Sequence, residues 1–519
     1  MAAWARGQSE PPTPGMEWVD ERLWSLGSPG DFVLFGPDAG NWAANARALM
    51  EGTTPDLNRL PLFGLLTGLA SAWYEVDVVF GGHLVNHIVG VAVGAVAYLL
   101  GKELGGRAVG LGAGLLTASS PWLVNASNLY GVDPTFGLAT ALLFLGTWLG
   151  VRGRWWLIPL TGIGIGLVLG THYLGILFPV PCALALALSR NDWRVRIAAP
   201  LVALLLGWGV FEALTWSYPP IGLDQIQSVY ATGAASGLDD ASLQTTAFSK
   251  VLGVVGEAVG SGLALAVQQA LIPVRDAGLP WVLGLALFWV GLLGPGLPPG
   301  GDKDFRWSWD WRSGLFLAVM LLPLSLLEAV RAPERYRYWA QPLVFIVLLR
   351  GAASLAAIAD QLILRKWPKD WPTWPSGLLA FALCLPMALP LGAEMRQDQA
   401  RGAPADQGLQ ERQLGELSLR EFGSGGGIVT NSQVVAFHAE RERCQGPAPG
   451  QATVQEAITL LRSRCRGRGD LPYIVGTRKS MGFADVTDEQ LDAYVEANFE
   501  AVGTITGKDT DYTLYRIPR

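Results

Sequence analysis

Charge is what this 519-residue chain has least of. Asp, Glu, Lys and Arg together make up 16% of it, against about a quarter in an ordinary soluble domain. It has no Lys/Arg-rich run and its formal net charge is -6, which excludes the basic footprint of a nucleic-acid binder. Histidine and cysteine number four each. Cys182 and Cys384 lie inside apolar stretches, where a thiol is a small buried hydrophobe. Cys444 and Cys465 lie in polar sequence with only His438 near them, matching no common zinc pattern. In an oxidising compartment that pair could close a disulfide, which spacing alone does not establish. Residues 1–35 are polar and Pro-rich and carry neither the basic nor the apolar region of a signal peptide.

Apolar sequence is abundant. Half of the residues are hydrophobic, mean hydropathy is +0.30, and Trp and Gly are plentiful. That balance is rare in a soluble protein of this length and predicts a polytopic membrane protein. Apolar segments run over 84–101, 108–124, 133–150, 156–171, 172–188, 196–217, 281–298, 313–329, 340–358 and 374–393. That makes about ten spans by the usual length requirement. Residues 60–74 are apolar but short and read as an embedded or interfacial helix. So does the Glu257-interrupted run 251–274, because a crossing there would invert every later loop.

Basic residues fall on alternate turns: Lys102/Arg107, Arg152/Arg154, Arg190/Arg194/Arg196, Lys303/Arg306/Arg312 and Arg365/Lys366/Lys369. The positive-inside rule makes those turns cytoplasmic. The stretches around Asp38, Asp133, His172 and Arg335, and the whole C-terminal tail, are then expected outside. The chain divides into a polar segment (1–35), a first outer loop (36–83), a membrane domain (84–394) with an outer loop at 218–280, and a soluble α/β domain (395–519). In that last part a Gly-rich turn at 423–427 precedes an expected strand (428–437), helix (454–465), strand (472–475), helix (488–498) and strand (501–517). The Gly-rich turn does not join a strand to a helix and is not read as a phosphate loop.

Several residues carry candidate chemistry, each with a plainer alternative. Asp38, in Gly36-Pro37-Asp38-Ala39-Gly40-Asn41-Trp42, suits a general base or the N-cap of the helix that follows. Arg335 and Arg337 lie at the outer end of a span, against the positive-inside bias. They suit bidentate phosphate binding or interface anchoring, and Arg59 is a similar case. Asp133 beside Pro134 is a good helix start. His172 sits between two spans and is either structural or a contact to a phosphate. His83 and His87 share a helical face at metal spacing without an evident third ligand.

The order of these stretches resembles the GT-C superfamily of membrane glycosyltransferases, which take sugar from a polyprenyl-phosphate carrier. Protein O-mannosyltransferases and lipid A aminoarabinose transferases are members. Pro37-Asp38 with Trp42 and Ala46 is similar to the family's acidic first-loop motif, and Asn58-Arg59-Leu60-Pro61-Leu62-Phe63 to the Arg-Pro stretch after it. Leu100-Gly101-Lys102 and Pro121 through Asp133 resemble the next spans, and Arg335-Tyr336-Arg337-Tyr338 with Pro342 the late Arg-Tyr motif. Ala39 stands where the family often has a second acid, and no span precedes Asp38, where the family starts with one.

The resemblance implies inverting transfer of a sugar to an extracytoplasmic acceptor hydroxyl at a bacterial inner membrane. Asp38 would be the base; Arg59, His172, Arg335 and Arg337 would hold the donor phosphate, and Asp133 would shape the site. No cofactor is certain, and a divalent metal ion at Asp133 remains open. The partners implied are a polyprenyl-phosphate sugar, membrane lipid and a glycan, lipid or protein acceptor. A transporter of lipid-linked sugars or a non-catalytic scaffold are the alternatives.

Overall fold

A computed structural model of the chain describes residues 39–53, 60–128, 130–189, 192–216, 281–293, 311–329, 339–364, 403–430, 432–444, 453–465, 467, 469–475, 488–506 and 511–518. Helix α1 (Ala39–Glu51) begins directly after Pro37-Asp38 in the chain. Helix α2 (Pro61–Tyr74) starts with Pro in its first turn and ends at Glu75 in the left-handed conformation. The short apolar run 60–74 is thus a helix, with Leu69 and Trp73 on its exposed side.

Helix α3 (Val78–Ala118) is 41 residues long, about twice what a bilayer requires. It is two arms rather than one rod. Gly106, at φ 88° and ψ 178°, breaks the helix, a conformation that glycine reaches without the clash a Cβ would bring. The arms then lie antiparallel at backbone contact. A Cβ on Gly101 would sit 3.0 Å from the Gly110 Cα, and one on Gly114 would sit 3.0 Å from the Gly94 carbonyl oxygen. Small residues at such a seam replace side-chain packing with backbone packing, as helix pairs in lipid commonly do. The expected span 84–101 falls in the first arm and 108–124 in the second, which ends at Ala118, so that 121–124 belong to a separate helix.

Helices α4 (Pro121–Asn128), α5 (Asp133–Val151) and α6 (Ile158–Thr171) follow. Inside α5 the hydroxyls of Thr140 and Thr147 donate to the carbonyls of Phe136 and Leu143 at 2.8 and 2.7 Å. Each buried hydroxyl thereby finds an acceptor on its own helix. Gly164 brings α6 against the Leu143 backbone of α5.

The expected span over 172–188 is instead a 3-10 turn (Tyr173–Leu177) and a nine-residue helix α7 (Pro179–Ala187). Pro179 and Pro181 lack the N–H groups that would carry a helix back across 172–178, so helix starts only with Pro in its first turn. Then come α8 (Trp193–Thr215, with Pro200 inside), α9 (Trp281–Leu293), α10 (Trp311–Ala329) and α11 (Gln341–Leu364). Among the described residues α3, α5 and α8 are long and apolar enough to cross a membrane, and the other apolar helices are shorter. The stretches 251–274 and 374–393 lie outside the described residues.

One ion-pair cluster fixes which turns share an end of the bundle. Glu103 meets Arg152 at 3.1 Å and Arg154 at 3.6 Å, so the first two basic turns lie together.

The tail opens with α12 (Ala403–Phe422), which the sequence reading did not foresee. A mixed five-stranded sheet follows. Its strands are β1 (Gly427–Val429), β2 (Glu442–Cys444), β3 (Leu471–Val475), β4 (Glu500–Ile505) and β5 (Tyr512–Ile517), in the order β2-β1-β3-β5-β4. β2, β1 and β3 run parallel, while β5 pairs antiparallel with β3 and β4. The expected strand 501–517 is thus a hairpin. Helices α14 (Val454–Arg464) and α15 (Asp488–Asn498) fall where the sequence pattern put them. Cys444 and Cys465 form a disulfide, which crosses beside Gly427, where a Cβ would lie 2.8 Å from that of Cys465.

The expected strand 428–437 is corrected as well. Three residues are strand, and Gln433–His438 is helix α13, capped by Ser432, whose hydroxyl accepts from the Val435 N–H at 3.2 Å. Val435, Ala436 and Ala439 pack into the tail's own core, while Val434 and Phe437 join a different cluster with Ala39, Trp42, Ala43 and Ala46 of α1. A helix with two apolar faces has no polar face to reveal its period, so it reads as a strand.

Candidate functional site

The site is assembled from ring contacts at one end of the bundle. Trp42 of α1 meets Phe63 of α2 edge-on at 5.7 Å between centroids, and Phe63 meets Tyr130 at 5.4 Å. Tyr130 also meets His83 at 5.7 Å, and its hydroxyl donates to the Val78 carbonyl at 3.1 Å. The first turn of α3 is capped by Asp77, whose carboxylate accepts from the N–H groups of Val79 and Phe80 at 2.7 and 2.9 Å. Burial pushes the Tyr130 phenol well above its ordinary value, so this hydroxyl stays a neutral donor.

From Tyr130 the chain leads into α5. Asp133 is half-buried in its first turn, where the helix dipole favours a carboxylate. It is not the cap: Val132 holds that position and no side chain caps the helix. One turn later Phe136 lies 5.3 Å from the His172 ring and 6.0 Å from Phe178, which in turn meets Trp339 at 4.7 Å.

His172 is half-buried at the end of α6, and its Nδ1 accepts the Leu174 N–H at 3.1 Å. An Nδ1 that accepts leaves the ring hydrogen of the neutral imidazole on Nε2.

Asp133 and His172 are therefore brought to one region, bridged by Phe136. Asp38, Arg59, Arg335 and Arg337 lie outside the described residues. Of their described sequence neighbours, Trp42 and Phe63 belong to the Tyr130 ring group and Trp339 to the Phe136–His172 group. Among the described residues no group of three or more His, Cys, Asp or Glu could hold a metal ion. No chemistry is routed through a divalent cation. The Nδ1–H of His87 donates to the His83 carbonyl, 2.7 Å away, so that pair is bonded within its own helix.

Sequence reasoning misses two residues, of which only one carries a visible signal. Arg350 is the single charge in the apolar run 340–358 and is completely buried in α11, the kind of intramembrane charge that is usually functional. Tyr130 lies in the loop before Asp133 and carries no motif of its own.

The folded class is a polytopic helical membrane protein with an α/β tail whose loops meet at one end of the bundle. Residues 61–216 match the family described as dolichyl-phosphate-mannose-protein mannosyltransferase. That span includes Asp133 and His172 but not Asp38, Arg59, Arg335 or Arg337. Among solved structures, the archaeal oligosaccharyltransferase AglB from Archaeoglobus fulgidus, in complex with an inhibitory peptide and a dolichol-phosphate, is 12% identical. The alignment covers 88% of this chain and 69% of that one, with a TM-score of 0.52. The same organism's oligosaccharyltransferase with Zn and sulfate is 12% identical over 85% of this chain and 64% of that one, at a TM-score of 0.50. ArnT from Cupriavidus metallidurans bound to undecaprenyl phosphate is 13% identical over 96% and 98%, at 0.47. No curated protein matches the chain. The chain is thus similar to GT-C membrane glycosyltransferases, in sequence over part of its membrane region and in fold over most of its length, as its motifs implied.

Proposed function

We propose that this protein is an integral-membrane glycosyltransferase. It moves a sugar from a polyprenyl-phosphate carrier to the hydroxyl of an extracytoplasmic acceptor, with inversion. The acceptor oxygen attacks the anomeric carbon as the bond to the carrier phosphate breaks. Asp38 takes the hydroxyl proton, and polyprenyl phosphate leaves with the bonding electron pair. Arg335, Arg337 and Arg59 steady the phosphate charge, and the Nε2–H of His172 adds a neutral donor. Asp133 shapes the pocket from the first turn of α5.

The observation that carries the reading is the convergence of motif flanks. Trp42, Phe63 and Tyr130 meet in one buried group, and Phe136, His172, Phe178 and Trp339 meet in a second that begins in the helix directly after Tyr130. A disulfide in the tail that packs on the first group fits an oxidising, extracytoplasmic compartment. The opposite assignment of the basic turns fits the same orientation.

The test is transfer of radiolabelled sugar from a panel of polyprenyl-phosphate sugars in membranes carrying wild type, Asp38→Asn or Arg337→Ala. One donor consumed by wild type, with Asp38→Asn binding it but not turning it over, is the expected result. No donor consumed, or an active Asp38→Asn, overturns the reading.

A further inference from the structure

α1 is held from two sides. Its inner neighbours are α2 and the start of α3, with Phe63, Val78, Val79 and Tyr130 in one buried cluster with Ala39, Trp42, Ala43 and Ala46. Its outer neighbour is the tail helix α13, which adds Val434 and Phe437 to that cluster. The guanidinium of Arg47 lies over the Phe437 ring, 3.9 Å from its centroid, so an apolar contact and a cation–π contact reinforce each other.

α13 is braced from behind. A Cβ on Gly415 of α12 would lie 2.8 Å from the Val435 carbonyl oxygen and 3.0 Å from the Ala439 nitrogen. The two helices therefore touch at backbone distance, and Val435, Ala436 and Ala439 anchor α13 in the tail core. Val434 and Phe437 belong instead to the cluster of α1, although they are tail residues.

We propose that Phe437, with Val434, is a positioning residue that clamps α1, the helix that directly follows Asp38 in the chain. The tail then acts on the chemical step through the first outer loop, without touching substrate itself. The inference rests on the base role given to Asp38. Asp38 is bonded through its peptide to the first residue of α1, and misplacement of reacting groups by about 1 Å costs roughly a hundredfold in rate.

The experiment compares wild type, Phe437→Ala, Phe437→Leu and Asp38→Asn of the full chain in nanodiscs. It combines hydrogen exchange of the α1 amides with steady-state transfer from the polyprenyl-phosphate sugar that wild type consumes. Phe437→Ala is expected to speed α1 exchange about tenfold while leaving β1 and β3 protected. Its kcat should fall at least about tenfold with the donor KM within about twofold. Phe437→Leu, which keeps apolar bulk, should recover most of both.

Unchanged α1 exchange in Phe437→Ala overturns the clamp, and so does loosened α1 with kcat intact. The exchange arm needs no donor, so it decides whether the tail holds α1 even if transfer is undetected. An active Asp38→Asn removes the base on which the inference rests. An unaltered Phe437→Ala beside an inactive Asp38→Asn removes the clamp alone.

Discussion

Tyr130 donates its hydroxyl hydrogen to the Val78 carbonyl, 3.1 Å away and 52 positions earlier in the chain. This bond ties the loop before Asp133 to the first turn of α3, and Gly82 leaves the space in which the ring lies.

Tyr130→Phe should therefore cost about 1 kcal/mol, the net worth of one buried hydrogen bond. Gly82→Val should cost more, about 1–3 kcal/mol, because a side chain there runs into the ring. Thermal unfolding of the purified protein checks the order; a Gly82→Val protein that melts like wild type contradicts this packing.

His172 serves the backbone through Nδ1, and the proposed function gives its Nε2–H to the donor phosphate. Asparagine in its place keeps an acceptor for the Leu174 N–H but lacks that donor in that position. His172→Asn should then melt like wild type yet bind donor roughly tenfold or more weakly, as expected for losing a bond to a charged group. Normal donor KM in His172→Asn, with a defect only in His172→Ala, would assign His172 to the cap alone.

His438 is pulled down to about 3, first by burial and then by the neighbouring Arg412 and Arg47. It is therefore neutral in the folded protein, while in the unfolded chain it protonates near its usual value. Its contribution to stability is intact above about pH 6.5 and is lost as pH falls from there toward 3, by up to about 1.4 kcal/mol per pH unit. His438→Leu should flatten that part of the acid-unfolding profile. Identical slopes for the two proteins between pH 6 and 4, intervals set by the usual histidine value, would contradict the assignment.

The Cys444–Cys465 bridge closes a loop of 21 residues. On the chain-entropy estimate it contributes about 3 kcal/mol to the tail. Cys444→Ser with Cys465→Ser should lower the tail's resistance to proteolysis while leaving the membrane helices folded. Maleimide labelling under denaturing, non-reducing conditions should spare both cysteines in the wild type; labelling of either before reduction argues against the bridge.

Much of this protein was decided locally. Scarce charge and long apolar runs require helices in lipid, because a bilayer offers backbone groups no other partner. Helices α14 and α15 could be read from the pattern of apolar and polar positions, and α2 from the short apolar run 60–74. The order of Asp38, Arg59, Asp133 and Arg335 along the chain was enough to draw the glycosyltransferase resemblance, because motif order does not depend on packing.

Contacts between distant segments were not legible in the same way. Gly106 became a reversal only because its two arms pack glycine against glycine. The run Val434–Phe437 became helix because its two faces are claimed by different partners, and β-branched and aromatic residues alone favour a strand. The sequence supplied the cysteines, the tyrosine and the arginine. Only the tertiary structure paired Cys444 with Cys465, Tyr130 with Val78 and Arg47 with Phe437, since those pairings depend on where the chain returns in space.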